Sequence, residues 1–184
     1  AYKLKMDSGQ AMDFKVGGLY RDKQRESFYN SYTFNSETGY DWENFDDIEF
    51  TPRRRYGNIA DPLNYEATER IGAAYVMVKY TRPLWEVNVG LRAEHTDQGY
   101  ALKFPEDNSD PEGSQKYWDW LPSAHLKYNV HENANLRFSY YRAVNRPSFF
   151  EIVPYSLVGD DYSEEGNPDL KHTVADNLDL RYEF

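Results

Sequence analysis

The chain has 184 residues and a mass of 21.7 kDa, and its 21 Lys+Arg against 31 Asp+Glu leave a net charge of −10. That balance excludes a nucleic-acid binder, which needs a basic face, and the lack of cysteine excludes a disulfide scaffold, a thiolate metal site and a cysteine nucleophile. Hydrophobic residues at 40% suffice for a sizeable core and exclude a disordered chain, while an aromatic share of 17% is more than a soluble core needs and calls for rings with one wet end.

No stretch approaches the roughly 18 apolar residues of a membrane helix, and the mean hydropathy of −0.89 agrees. That test is blind to barrels, whose strands alternate lipid-facing and water-facing residues. The sequence opens at Ala1 without a basic or apolar leader, so the expectation is a cytosolic protein or a mature or excised portion.

In chain order, the elements alternate with period two, the mark of strands with one apolar face. A short strand over 1–6 turns at Asp7-Ser8-Gly9 into a strand over 11–34, where Met12, Phe14, Val16, Gly18 and Tyr20 oppose Asp13 and Lys15. A long loop, 35–69, follows. The next strand, 70–82, has Ala74, Val76, Val78 and Tyr80 on its better face. Over 84–98, Trp85, Val87, Val89, Leu91 and Ala93 oppose Glu86, Asn88, Arg92 and Glu94. After loop 100–115, the strand over 116–130 sets Trp118, Trp120, Pro122, Ala124, Leu126 and Tyr128 against Asp119, Ser123, His125 and Lys127. A tight turn at His131-Glu132-Asn133 leads to the strand 134–146, with Leu136, Phe138 and Tyr140 on one face. Loop 147–172 precedes the last strand, 173–184, where Val174, Leu178, Leu180 and Tyr182 oppose Asn177, Asp179 and Arg181.

Short and long connections alternate, as in an up-and-down meander with turns at one end and large loops at the other. Two all-β architectures accommodate this: about seven strands of a transmembrane β-barrel, or a soluble β-sandwich. Strand lengths near ten residues, rings near strand ends and mixed-sign polar faces favour the barrel.

Arg142-Ala143-Val144-Asn145-Arg146-Pro147-Ser148-Phe149, then Gly166-Asn167-Pro168-Asp169-Leu170-Lys171, then an alternating strand ending Leu180-Arg181-Tyr182-Glu183-Phe184, resembles the late barrel region of TonB-dependent outer-membrane receptors. Leu91 to Thr96 and Trp120 to Tyr128 look like the preceding strands in versions typical of the Bacteroidetes group. The resemblance covers residues 70–184 well and the earlier part in style. It implies a barrel of about 22 strands in the outer membrane of a Gram-negative cell, filled by a plug domain. Such a receptor imports a scarce siderophore, glycan or peptide with energy passed through the TonB complex. The expected partners are therefore outer-membrane lipid, the plug, the TonB complex and that ligand. Plug and TonB box are not found in these residues, so a segment of the receptor is expected.

Arg146, Pro147, Gly166, Asn167, Pro168 and Leu170 carry this signature. Gly166, Asn167 and Pro168 have a structural reading as a sharp turn before a strand; Arg146 is expected to face the lumen and pair with an acid, with the plug a candidate source. In the first long loop, Tyr40, Trp42 and Phe45 interleave with carboxylates and are candidate ligand-contact rings; in the soluble sandwich they would serve carbohydrate binding. Arg53-Arg54-Arg55 follows and is read as neutralising that acidic run. The acidic groups around Glu106-Asp107 and Asp160-Asp161 lack the ordered spacing of a calcium loop. Carboxylate pairs such as Glu94 with Asp119 arise by chance in so acidic a chain, and no catalytic motif is present. Neither an enzyme, nor a cofactor, nor a metal site is expected.

Overall fold

The structure, a computed structural model, describes residues 2–6, 10–36, 48–58, 63–105, 110–158 and 161–184. In chain order the elements are β1 (Tyr2–Met6), β2 (Gln10–Ser27), β3 (Phe34–Ser36), β4 (Phe50–Pro52), β5 (Tyr65–Thr81), β6 (Trp85–Leu102), β7 (Glu112–His131), β8 (Ala134–Asn145), the one-turn helix α1 (Phe149–Ile152), β9 (Ser156–Val158), β10 (Ser163–Glu165) and β11 (Thr173–Glu183). Seven strands form one antiparallel sheet in the order β1-β2-β5-β6-β7-β8-β11, while β3–β4 and β9–β10 pair within the long connections. At one end the turns are tight. Arg82 N–H donates to Trp85 C=O at 2.8 Å, and Asn129 N–H reaches Leu84 C=O at 2.7 Å, tying the β7 end to its neighbour's turn.

The register aligns the apolar stripes into rows. Phe14, Val78, Val89, Ala124, Tyr140 and Leu178 stand side by side across six strands. Period-two alternation places residues two apart on the same face, so parallel rows fill an apolar band. Rings bound it. At the turn end Trp85, Tyr128 and Tyr182 share a row with Leu136, and the Trp85 ring meets Tyr80 edge-on at 5.4 Å. At the loop end Tyr20 and Trp118 share a row with Gly72 and His95. On β6 the rows lie 95 − 85 = 10 residues apart, roughly 33 Å of strand, which a barrel tilt of about 40° reduces to about 25 Å, the height of the apolar band of outer-membrane barrels.

This apolar face is the exposed one. Val16 and Leu180 are 74% and 71% exposed, whereas Glu94 and Asp119 on the opposite face are 7% and 5% exposed. Water would impose the reverse arrangement. No sheet covers the band among the described residues, and Leu126 and Leu180 lie on the outside, so the sandwich reading is set aside. The fold is an all-β antiparallel meander forming an open section of barrel wall, with hydrocarbon as the solvent that suits its outer face.

Strand extents differ from expectation at the loop end. The strand expected over 11–34 stops at Ser27, because the Asn64 side chain takes the next rung of the ladder: it accepts from Tyr29 N–H at 2.6 Å and donates to Tyr29 C=O at 2.8 Å. The strands expected over 70–82, 84–98 and 116–130 run instead over 65–81, 85–102 and 112–131. They continue because the faces exchange polarity above the Tyr20–Trp118 row. There the inner side chains Tyr65, Ala67, Tyr100 and Leu102 are apolar and buried with Phe149, Ile152 and Val153, while the outer ones, Glu66 and Thr68 among them, are exposed. The loops expected at 35–69, 100–115 and 147–172 are correspondingly shorter or contain elements of their own.

One charged pair interrupts the outer rows. Arg142 pairs in register with Asp176, two residues from Tyr140 and Leu178 on the same face. Its Nε and Nη2 each donate to the carboxylate at 2.9 Å, and the Tyr140 hydroxyl donates to the same group at 2.9 Å. Closing the charges on each other makes the pair tolerable at this depth. Asp176→Ala should therefore lower the denaturant midpoint of the complete protein in lipid vesicles, because it leaves an unpaired arginine facing the bilayer. Arg142→Leu/Asp176→Leu should leave that midpoint near the wild-type value. Denaturant titration in vesicles reads both.

Candidate functional site

The inner face is polar behind the apolar band and just above its upper ring row. Glu94 stands directly across from Asp119, Thr96 from Tyr117 and Gln98 from Gln115 on β6 and β7. Two carboxylates facing each other across a ladder repel, and both are buried. A cation must join them.

Pro122 helps deliver it. Lacking an N–H, Pro122 cannot extend the β7–β8 ladder, and that pairing ends at Ser123↔Tyr141. β8 stays paired with β11 as far as Asn145↔Thr173, after which the chain turns inward. Arg146 Nε donates to Thr96 Oγ1 at 3.0 Å, Nη2 donates to Glu94 Oε2, and the same nitrogen lies 3.7 Å from Asp119 Oδ2. His172, at the far end of the connection, sets Nε2 2.9 Å from Asp119 Oδ1 and stacks on Tyr117 with centroids 4.0 Å apart. Arg92 pairs with the other oxygen of Glu94, and Arg21 pairs with buried Glu69 at 2.9 Å. Arg146 thus pairs with acids as expected, and its partners Glu94 and Asp119 lie on this chain.

The connection between Arg146 and His172 folds back over this face. Gln98 Nε2 donates to Pro147 C=O at 2.8 Å, and Gln115 Nε2 donates to the carbonyls of Pro168 and Leu170. Ser148 caps α1 reciprocally with Glu151: its N–H donates to Glu151 Oε2 at 2.7 Å, and Glu151 N–H returns to Ser148 Oγ. That bond from the Ser148 N–H holds the Glu151 carboxyl below its usual range. Asn167 N–H donates to Glu151 C=O at 2.7 Å, while its side-chain oxygen accepts from Asp169 N–H at 3.0 Å. Gly166 lies so close to Val153 that a Cβ would sit 1.7 Å from the carbonyl oxygen; this is a close-approach glycine, and its neighbour is backbone that cannot yield. Phe149 packs into the apolar cluster above, under the Lys23 ammonium 5.0 Å from its ring.

All six signature residues therefore meet in one in-folded segment. Arg146 bridges the acids, the carbonyls of Pro147, Pro168 and Leu170 are glutamine anchors, and Gly166 and Asn167 knit the segment to itself. Gln98, Gln115 and His172 complete the docking and were not singled out by sequence reasoning. The one available signal was that polar residues recur every second position on β6, as any wet face would show. Tyr40, Trp42 and Phe45 lie outside the described residues, as do Glu106, Asp107 and Asp160. Among the described residues no cluster of three or more His, Asp or Glu is arranged to hold a metal ion, and no helix is long and apolar enough to cross a membrane.

An apolar band facing outward, a ring belt at each edge and a polar inner face covered by its own connection define a class: the wall of a membrane β-barrel. The model of the outer membrane protein beta-barrel family matches residues 9–184, and the chain belongs to that family. Its place in the cell is the outer membrane. No curated protein and no solved structure matches it.

Two measurements probe the docked segment. Arg146→Leu leaves two buried carboxylates without their cation and should cost about 3–5 kcal/mol, read as faster hydrogen exchange at the amides of Phe149 to Tyr155. The second concerns Tyr155, whose hydroxyl donates to Glu164 Oε1 at 2.8 Å and whose pKa is pushed up to about 12 by burial and then by that bond. A raised folded-state value means that its contribution to docking is complete below the ordinary value of 10.0 and is lost as pH rises through about 12. Exchange protection of the segment should thus persist at pH 9 and fall between pH 10 and 12; Tyr155→Phe should shift this loss.

Proposed function

We propose that this chain is part of the barrel wall of a TonB-dependent receptor that takes up a scarce ligand across the outer membrane. The observation that carries the reading is the segment from Arg146 to His172 lying on the inner face, with its arginine on Glu94 and Asp119. A diffusion pore needs an open, wet lumen. A wall whose buried inner acids are already engaged by a folded-in connection fits a filled lumen, in which a plug is moved for each act of transport. Its resemblance to receptor barrels in the Arg146-Pro147-Ser148 and Gly166-Asn167-Pro168 segments supports the same reading.

In this mechanism the outer band anchors the wall in lipid, and the inner face and its docked segment receive the plug. The long connections contribute to ligand capture, and TonB supplies the energy. Binding and passage are the whole of the chemistry. Arg146 spans the facing carboxylates Glu94 and Asp119, which a hydrolase would need free, and with no bond made or broken no cofactor is called for.

Liposome swelling with the complete protein tests this. A filled receptor should give no faster entry of small sugars than protein-free liposomes. Porin-like swelling would contradict the proposal, as would ligand uptake by cells that persists undiminished without TonB.

A further inference from the structure

Seven arginines, Arg21, Arg70, Arg92, Arg137, Arg142 and Arg181 on the sheet and Arg146 in the in-folded segment, face a carboxylate. The triplet Arg53-Arg54-Arg55 does not. Among the described residues none of the three meets a carboxylate within ion-pair distance: Arg54 touches the Asn58 side-chain oxygen at 3.3 Å, and Arg55 lies over the Tyr56 ring at 5.5 Å. In a chain of net charge −10, three adjacent guanidiniums that meet no carboxylate among the described residues form a local positive field.

They also border a cavity. Ser31, Thr33, Arg53, Arg54, Gly57 and Asn58 enclose about 200 Å³. Its walls are fixed by backbone: Ser31 and Asn58 exchange hydrogen bonds at 3.2 and 2.8 Å, Arg53 N–H donates to Thr33 C=O at 2.7 Å, and β3 pairs with β4 directly beyond. Gly57 takes φ 72° there, where a Cβ would meet the Asn30 side chain at 2.4 Å. Two arginines and two hydroxyl residues lining a cavity of this size suit one oxyanion. A typical ligand pocket is larger, about 300–1,000 Å³, so the cavity takes a group of the ligand and leaves its remainder outside. The rings of Tyr32, Phe34 and Tyr56, chain neighbours of the lining residues, are exposed, Tyr32 and Phe34 with centroids 6.5 Å apart.

We propose that the β3–β4 head is a binding site for the carboxylate or phosphate group of a soluble ligand that also presents an apolar or ring face. The connection leaves the sheet at Ser27, which is 27 − 20 = 7 residues past Tyr20 in the upper ring belt, roughly 20 Å of strand above the interface. A lipid headgroup phosphate lies below that height, so the source is a free ligand. The site deepens the uptake reading by naming the ligand's chemical class. The acidic run that the triplet was expected to neutralise lies largely outside the described residues.

Calorimetric titration of citrate and of inorganic phosphate into the complete protein, purified in lipopolysaccharide-free detergent, tests the site. Wild type should bind at least one of the two with an affinity that falls as salt is raised. Arg53→Gln/Arg54→Gln should weaken it at least about tenfold, and Arg25→Gln, outside the cavity, should leave it within about twofold. Should the glutamine variant fail to assemble, Arg53→Lys/Arg54→Lys keeps the charge and loses the forks, and should still weaken binding several-fold. No binding of either anion by wild type, binding only when lipopolysaccharide is added back, or equal binding by the double variants would overturn the site. The assay involves no passage and no TonB. Anion binding without uptake would therefore leave the site standing and sink the uptake reading, whereas uptake without anion binding would do the opposite.

Discussion

A backbone that crosses hydrocarbon must satisfy every N–H and C=O from within, and an antiparallel ladder is the one way a strand can do so. Everything else in this wall follows from where the ladder places side chains. Pairing along β2, β5, β6, β7, β8 and β11 keeps the register constant through the band, the shift at Asn129/His131 falling beyond it at the turn, so stripes that are modest on each strand merge into one continuous outer band. A slip of one residue in any pair would turn that strand's Val and Leu side chains into the lumen and its charges into lipid. The rings at both edges hold the band at depth, with an apolar body in the acyl region and a polar tip toward water.

The inner face answers to a different constraint. Carboxylates hidden from water need a cation or a proton. Glu94 and Asp119 face each other across β6 and β7, and Arg146 arrives from a connection that turns inward where Pro122 interrupts the neighbouring ladder. The same electrostatic need that stabilises the pair therefore also brings the connection over the lumen. Once there, it is held by backbone carbonyls on Gln98 and Gln115 and by a small apolar cluster around Phe149 and Val153. Lumen filling and wall stability are coupled through one guanidinium.

Much of the band was legible in the sequence. Alternation over Trp85 to Ala93 and Trp118 to Tyr128 names the strands and their apolar faces, and the structure puts those faces outside. The loop ends were harder to read, for a physical reason. Past the Tyr20–Trp118 row the outer face meets water and the inner face meets the docked segment, so Tyr65, Ala67, Tyr100 and Leu102 take the phase that charges hold lower down. A reading that follows one apolar stripe stops at that reversal. Arg142 and Asp176 escaped notice because each breaks a stripe when taken alone, and only the register shows that they cancel. Likewise, the partners of Arg146 lie about fifty residues upstream of it in one case, a distance that spacing cannot bridge.

The outward orientation of the apolar rows is the claim on which the account stands, and the lack of cysteine in these 184 residues leaves the wall clear for site-directed labelling. Spin labels placed in turn at residues 86 to 93 of the complete protein, reconstituted in lipid, can be read for collision with oxygen, which concentrates in hydrocarbon, and with a water-soluble nickel chelate. The account predicts high oxygen collision at 87, 89, 91 and 93 and low values at 86, 88, 90 and 92, with period two. Equal nickel accessibility at both sets, or oxygen maxima at the even positions, would contradict it.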